Sequence, residues 1–360
     1  MGDELKGLIK ALDGDFKMRT SHKLTQLFLA VSVIACVFLF MTTTALGADP
    51  GAPYPATSAV SDQKAGSVLI FNFYTSSPFG GAGNNTQNTR FNITNTNPAL
   101  TALIHIFFVA ETCAVADYHA CLTPNQTATY LVSDYDPAIN GYIIVVAENK
   151  LGWPASHNFL IGDEFVKLPN GSHANLGAEA FAAEFEGDMP FFNPGLFSAV
   201  LNFSGDASGY NKLPATLAAS NIQSRVDQNE TTLIINRIGG DLGTGAFPLD
   251  RMFGLLYSDV EVSYSFSLNG GLCQRRILLT DSEPRTTPRF TVVIPAGRTG
   301  WMKFYTNNGN IGMVGSMINF NPNTSSRTDV FNGSHNLHKL TLTSTSVALT
   351  IPVFPPSCAL

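Results

Sequence analysis

Cys113 and Cys121 stand eight residues apart in the stretch TCAVADYHAC, and Cys273 and Cys358 follow far downstream. With Cys36 they are all the cysteines of a 360-residue chain. Paired thiols can clamp a metal, run thiol–disulfide exchange or staple a fold. Zinc calls for short paired spacings such as CxxC or HxxxH, and thioredoxin-type redox chemistry calls for CxxC; the chain has neither. His119, two residues before Cys121, adds one imidazole with no partner at a diagnostic spacing. The four cysteines beyond the apolar leader are therefore expected to form disulfides. The expected pairs are Cys113–Cys121, a short staple on the loop between two strands worth about 2–3 kcal/mol in the chain-entropy model, and Cys273–Cys358 by elimination.

Other chemistry-bearing groups lead to no catalytic constellation. Asp163 and Glu164 are adjacent, so on a strand they point to opposite faces. Glu179 and Glu184 fall in a stretch with helical spacing and read as a solvated face. Asp134 and Asp136, two apart in SDYDP near Asn140, are candidate oxygen ligands for calcium, but the glycine and terminal glutamate of an EF-hand loop are missing, and turn initiation before Pro137 accounts for them. There is no GxSxG elbow. His105 lies in an apolar strand, whereas His119, His157, His173, His335 and His338 lie in or beside loops. The glycine-rich GGDLGTGAF has no P-loop lysine. The chain is thus expected to be no enzyme and to need no cofactor. Trp153 and Tyr142, near Tyr135, are candidate glycan contacts, since sugars stack on aromatic faces; Trp301 and Tyr305 form a similar pair downstream.

The compartment decides the thiol chemistry. Residues 24–46 are apolar and uncharged, Arg19 and Lys23 precede them, and Ala45, Gly47 and Ala48 follow. This pattern of a basic n-region, an apolar core and small residues is that of a secretory signal peptide spanning 1–47, with Met18 as an alternative start. The segment is also long enough to serve as an uncleaved anchor. Cys36, in VIAC, fits a lipoprotein box poorly because VFLFM follows it. The expected location is secreted or cell-surface, through the Sec route, with membrane contact only through this segment if it is retained. The formal net charge of −6 argues against nucleic-acid partners.

The elements that must position these groups are strands. Residues 48–65 are rich in Pro, Ala and Ser and read as a linker. GSVLIFNFYTS, RFNITNTN, ALIHIFFVAET, TATYLVSD, GYIIVVAEN and HNFLIGDEFVKL then carry β-branched, aromatic and period-2 patterns between turn residues. In ALIHIFFVAET both faces are largely apolar, which marks a central strand. HANLGAEAFAAEFEGDMP has apolar residues at helical spacing and predicts a helix. From about Thr231 the pattern returns to short strands. The expected fold is all-β: two antiparallel sandwich modules, Ig-like or jelly-roll-like, at 66–170 and 215–360, joined by a helical connector at 171–214.

GSVLIFNFY, NTRFNITNTNP, HIFFVAETC, CLTPNQTATYLVSD, GYIIVVAENKLGWP and NFLIGDEFVKL together resemble a group of uncharacterised bacterial exported proteins. The resemblance covers roughly residues 66–168. It implies a sandwich fold and an envelope or extracellular setting, and no activity. The functional expectation is a non-enzymatic exported protein with a structural, adhesive or assembly role, partnered by copies of itself or by surface glycans. The alternative is a carbohydrate-binding module or a glycan-active enzyme.

Overall fold

A strand can be apolar on both faces only if a layer covers each of them. Val68–Thr75, Ala102–Ala110 and Asn140–Glu148 meet that condition and are buried along almost their whole lengths. In the computed structural model they form the middle of a five-stranded antiparallel sheet, in the order Glu179–Phe181, Val68–Thr75, Asn140–Glu148, Ala102–Ala110, Val115–Leu122. The structure describes residues 52–53, 61–78, 87–189, 192–193, 197–323 and 332–358, with backbone only for 52–53 and 192–193. The leader 1–47, Met18, Cys36 and most of the linker 48–65 lie outside the described residues.

One face of this central sheet presents Leu69, Phe71, Ile104, Ile106, Phe108, Ile143 and Val145 to Phe91, Ile93 and Leu160. Those three belong to a second antiparallel sheet, Thr127–Leu131, Asn88–Asn95, Leu160–Lys167 and His173–Gly177. The opposite face, with Val68, Ile70, Phe107, Val109, Ile144 and Val146, meets Leu201, Phe203, Leu349 and Ile351. These come from a sheet built on Ser198–Phe203 and Val347–Pro352. Each fully buried side chain of this kind stabilises the fold by about 1.5–3 kcal/mol before entropy is counted.

The remaining strands make a further two-layer sandwich. Pro214–Gln223, Met252–Ser258 and Thr299–Thr306 lie in one sheet, and Glu230–Ile238 and Gly312–Phe320 in the other. Leu217, Leu233, Leu256, Met302, Phe304 and Met317 pack between them. The fold is all-β, as the sequence predicts. Among the described residues only Phe290–Val293 is α-helical, and Gly240–Asp241 beside Val347–Pro352 is the one parallel pairing.

Three expectations are corrected. The stretch read as a helix is strand: His173–Gly177 pairs with Leu160–Lys167, and Glu179–Phe181 pairs with Val68–Thr75. Alternation wins over the helical spacing, because Ala174, Leu176, Ala178 and Ala180 are buried. Second, the stretch expected as a helical connector is part of the core, where Phe181, Phe185 and Leu213 pack with Val68, Phe107, Leu201, Val314 and Leu349. Third, all four cysteines are paired, but as Cys113–Cys273 and Cys121–Cys358, with Cα–Cα distances of 5.1 and 6.2 Å. What was read as a stapled loop is the strand Val115–Leu122. An extended strand separates its ends by roughly 20 Å, far beyond the span of a disulfide, so Cys113 and Cys121 each reach a remote segment.

A buried polar seam joins the two halves. The register between Val68–Thr75 and Asn140–Glu148 slips between Phe71 and Tyr74, and such a bulge frees main-chain groups from the ladder. The carbonyl of Asn72 there accepts from Asn236 Nδ2 at 2.8 Å and from Gln274 Nε2 at 3.2 Å. Asn72 Nδ2 donates to Glu179 Oε1 at 2.9 Å, Asn336 Oδ1 at 2.8 Å and the Gly315 carbonyl at 3.1 Å.

Candidate functional site

The outer end of the central sheet gathers four ionisable side chains on one face. Ala102–Ala110 turns back through residues 111–114 into Val115–Leu122, and the register sets His105 directly opposite His119. Alternation then puts Asp117, His119 and Cys121 on the same face as His105 and Phe107. Glu148, opposite Leu103 on the other neighbouring strand, joins them. The two imidazoles stack with ring centroids 3.8 Å apart and planes 24° apart. His105 Nε2 lies 2.7 Å from Asp117 Oδ2, and His119 Nδ1 lies 2.7 Å from Glu148 Oε1.

The site grades from interior to edge. The side chains of His105 and Glu148 are fully buried, that of His119 is 14% exposed and that of Asp117 is 44% exposed. Burial drives the His105 imidazole down to about 4, against the opposing pull of Asp117, and the neighbouring His119 lowers it further. Burial pushes the Glu148 carboxyl up, and its contact with His119 offsets part of that. Three buried polar atoms are left without a hydrogen-bond partner: His105 Nδ1, His119 Nε2 and Glu148 Oε2.

A close-fitting cover lies beside the cluster. Glu148 leads into the turn Asn149–Trp153, closed by a 2.8 Å bond from Asn149 N to the Trp153 carbonyl. Gly152 has a φ of +84°, and a Cβ there would stand 2.0 Å from the Phe354 carbonyl oxygen. The turn therefore packs its backbone onto the C-terminal segment, which Cys358 ties to Cys121 on the histidine-bearing strand. One donor atom from each of His105, His119 and Glu148 lies within 4.8 Å of the other two. Two imidazoles and a carboxylate at that spacing are able to hold a metal ion or a bound water.

The sequence pattern puts His105 in a strand and His119 in or beside a loop, and singles out neither Glu148 nor Asp117. The signal for them was the hairpin itself: with a four-residue turn at 111–114, position 105 faces position 119. Asp134 and Asp136 do not form such a group. Asp134 is exposed and ends the 3-10 turn Val132–Asp134, and Asp136 accepts a hydrogen bond from the Tyr74 hydroxyl. Tyr142 cannot meet a glycan, being buried in the shared core with its hydroxyl donating to the Arg237 carbonyl at 2.8 Å. Trp153 is partly buried against the same core.

The other carboxylate pairs also separate. Glu179 is a buried strand residue, not a solvated helical one. Asp163 accepts from Asn92 Nδ2 at 2.9 Å, whereas Glu164 on the opposite face is wholly buried. Burial holds the Glu164 carboxyl well above the usual range. A carboxyl raised in the folded state contributes stability that is full below its unfolded value and is lost as pH rises through the folded value. Glu164→Gln is therefore expected to flatten the fall in urea-unfolding free energy as pH rises above the ordinary glutamate range. An unchanged slope refutes this.

No protein-family model matches the chain, and no curated protein matches it. Solved structures with some likeness include Thermotoga maritima 1070, 13% identical over 33% of this chain and 97% of that one, with a TM-score of 0.25. Another is the cryo-EM structure of broad bean stain virus, 6% identical over 88% of this chain and 97% of that one, with a TM-score of 0.16. At such scores the likeness establishes neither fold nor function. Two disulfides are compatible with an oxidising, extracytoplasmic setting. No helix among the described residues is long and apolar enough to cross a membrane.

Proposed function

We propose that this chain is an exported, non-enzymatic protein of the cell envelope or extracellular space that acts through its surface, as a structural or adhesive module. The observation that carries the reading is the pair of disulfides, which link positions 160 and 237 residues apart. Cross-links of that reach lock a whole fold, which suits a protein working outside the cytoplasm. Non-reducing mass spectrometry of natively purified protein tests it. The expected product begins after residue 47 and carries both bridges; four free thiols in a cytoplasmic fraction would overturn the reading.

A second reading, glycan binding, is favoured by one feature of the six-stranded sheet. Tyr257 and Trp301, paired across adjacent strands, stack with centroids 4.3 Å apart and planes 3° apart. Trp301 is 38% exposed, and Ser263 on the next strand is exposed opposite Tyr257. Aromatic faces beside hydroxyls suit the apolar face and the hydroxyl rim of a sugar ring. On a glycan array, Trp301→Ala is expected to abolish any binding that Trp153→Ala leaves intact. Binding retained in Trp301→Ala refutes the second reading, and self-association by light scattering without glycan binding favours the first.

A further inference from the structure

We propose that His105, His119 and Glu148 form a binding site for a divalent transition-metal ion, zinc in the first instance, with Asp117 as a positioning residue. The donor set carries the choice of ion. Two imidazole nitrogens with one carboxylate oxygen suit zinc and its neighbours, whereas calcium and magnesium take oxygen donors. Three protein donors also leave a coordination position for water.

Geometry supports the assignment from three directions. One donor from each residue lies within 4.8 Å of the others, and donors around a tetrahedral ion with bonds near 2.1 Å stand roughly 3.4 Å apart. Binding would therefore require the donors to draw together and the His119–Glu148 contact to give way. Each of the three residues also keeps one buried polar atom unpartnered. Buried polar atoms are nearly always satisfied, so three orphans on three neighbouring side chains mark a cluster that its own hydrogen bonds leave with spare donor capacity. Finally, the Asp117 carboxylate 2.7 Å from His105 Nε2 leaves Nδ1 of that ring as its free donor. A carboxylate gripping the far nitrogen is the usual support of a metal-bound histidine.

The sequence hides the site because its residues lie 14 and 29 positions apart and converge only through strand register. The site is built into the central sheet, with the His119 side chain 14% exposed on the outermost strand.

The test uses untagged protein with both disulfides intact, titrated with Zn²⁺ by calorimetry and with Co²⁺ as a visible-absorption probe. One equivalent is expected to bind. Glu148→Gln and His119→Gln are each expected to weaken binding by more than about tenfold, and Asp117→Asn by about 10–100-fold. His335→Gln with His338→Gln, at the other histidine pair, whose rings lie 5.7 Å apart, is expected to leave it unchanged. Near-UV circular dichroism checks that each variant folds. In the wild-type protein alone, Zn²⁺ is expected to protect His119 from diethylpyrocarbonate. The proposal is overturned by absence of binding at micromolar Zn²⁺, by binding that survives Glu148→Gln and His119→Gln in folded protein, or by modification of His119 at the same rate with and without Zn²⁺.

Discussion

Replacing Cys113 and Cys273 together by alanine is expected to lower the unfolding free energy by about 5 kcal/mol, read as a fall in the denaturant midpoint. The bridge closes a loop of 160 residues. Cutting it returns the closure entropy of that loop to the unfolded chain, and this entropy grows with the logarithm of loop length. The native state changes little by comparison. Cys273 is fully buried in the shared core, its amide donates to the Glu111 carbonyl at 2.8 Å, and the Ala246 amide donates to the Cys113 carbonyl at 3.3 Å. Those bonds hold both partners in place without the sulfurs, and alanine adds no unsatisfied polar group to the core. The pairing expected from spacing, Cys113–Cys121, would give only about 2–3 kcal/mol. Under the spacing-based pairing the double variant would instead lose both bridges and leave Cys121 and Cys358 as two free thiols, whereas here that pair stays bridged. A loss below about 1 kcal/mol would speak against any bridge at Cys113.

The contrast between those two pairings shows what the sequence carries and what it does not. Alternation is a local property, so strands such as Asn88–Asn95 and Ala102–Ala110 were legible, and the second could be recognised as covered on both faces. Register is not local. Whether Cys113 meets Cys121 or Cys273, and whether His105 meets His119, depends on which strands pair and where each hairpin turns. The 173–181 stretch failed for a different reason. Its alanines satisfy a helical spacing and a strand alternation equally well, and alanine's intrinsic preference favours the helix. Tertiary pairing decided the matter, because the Leu160–Lys167 and Val68–Thr75 strands offer partners on either side. The candidate metal donors were illegible for the same reason as the disulfides, being brought together by two separate pairings.

Lys339→Met is expected to cost about 3–5 kcal/mol, because it strands a buried carboxylate. The Lys339 ammonium stands 2.9 Å from Glu179 Oε2, and the two side chains are 11% and 1% exposed. Glu179 sits on the edge strand of the central sheet and Lys339 on His338–Leu342 of the six-stranded sheet, so the pair closes the polar seam between the halves. An exposed ion pair contributes about 0–1 kcal/mol; this one differs because the partner left behind cannot reach water. Methionine fills similar volume, so lost packing explains little of the expected effect. Adding Glu179→Gln to Lys339→Met removes the stranded charge while keeping an oxygen to accept from Asn72 Nδ2, which now lies 2.9 Å from Oε1. The double variant is therefore expected to recover most of the loss, since the energetic asymmetry lies in the unpaired charge and not in the pair itself. A double-mutant cycle by urea denaturation measures this coupling. A single variant within about 1 kcal/mol of wild type would mean that water reaches Glu179 and that the seam is wet.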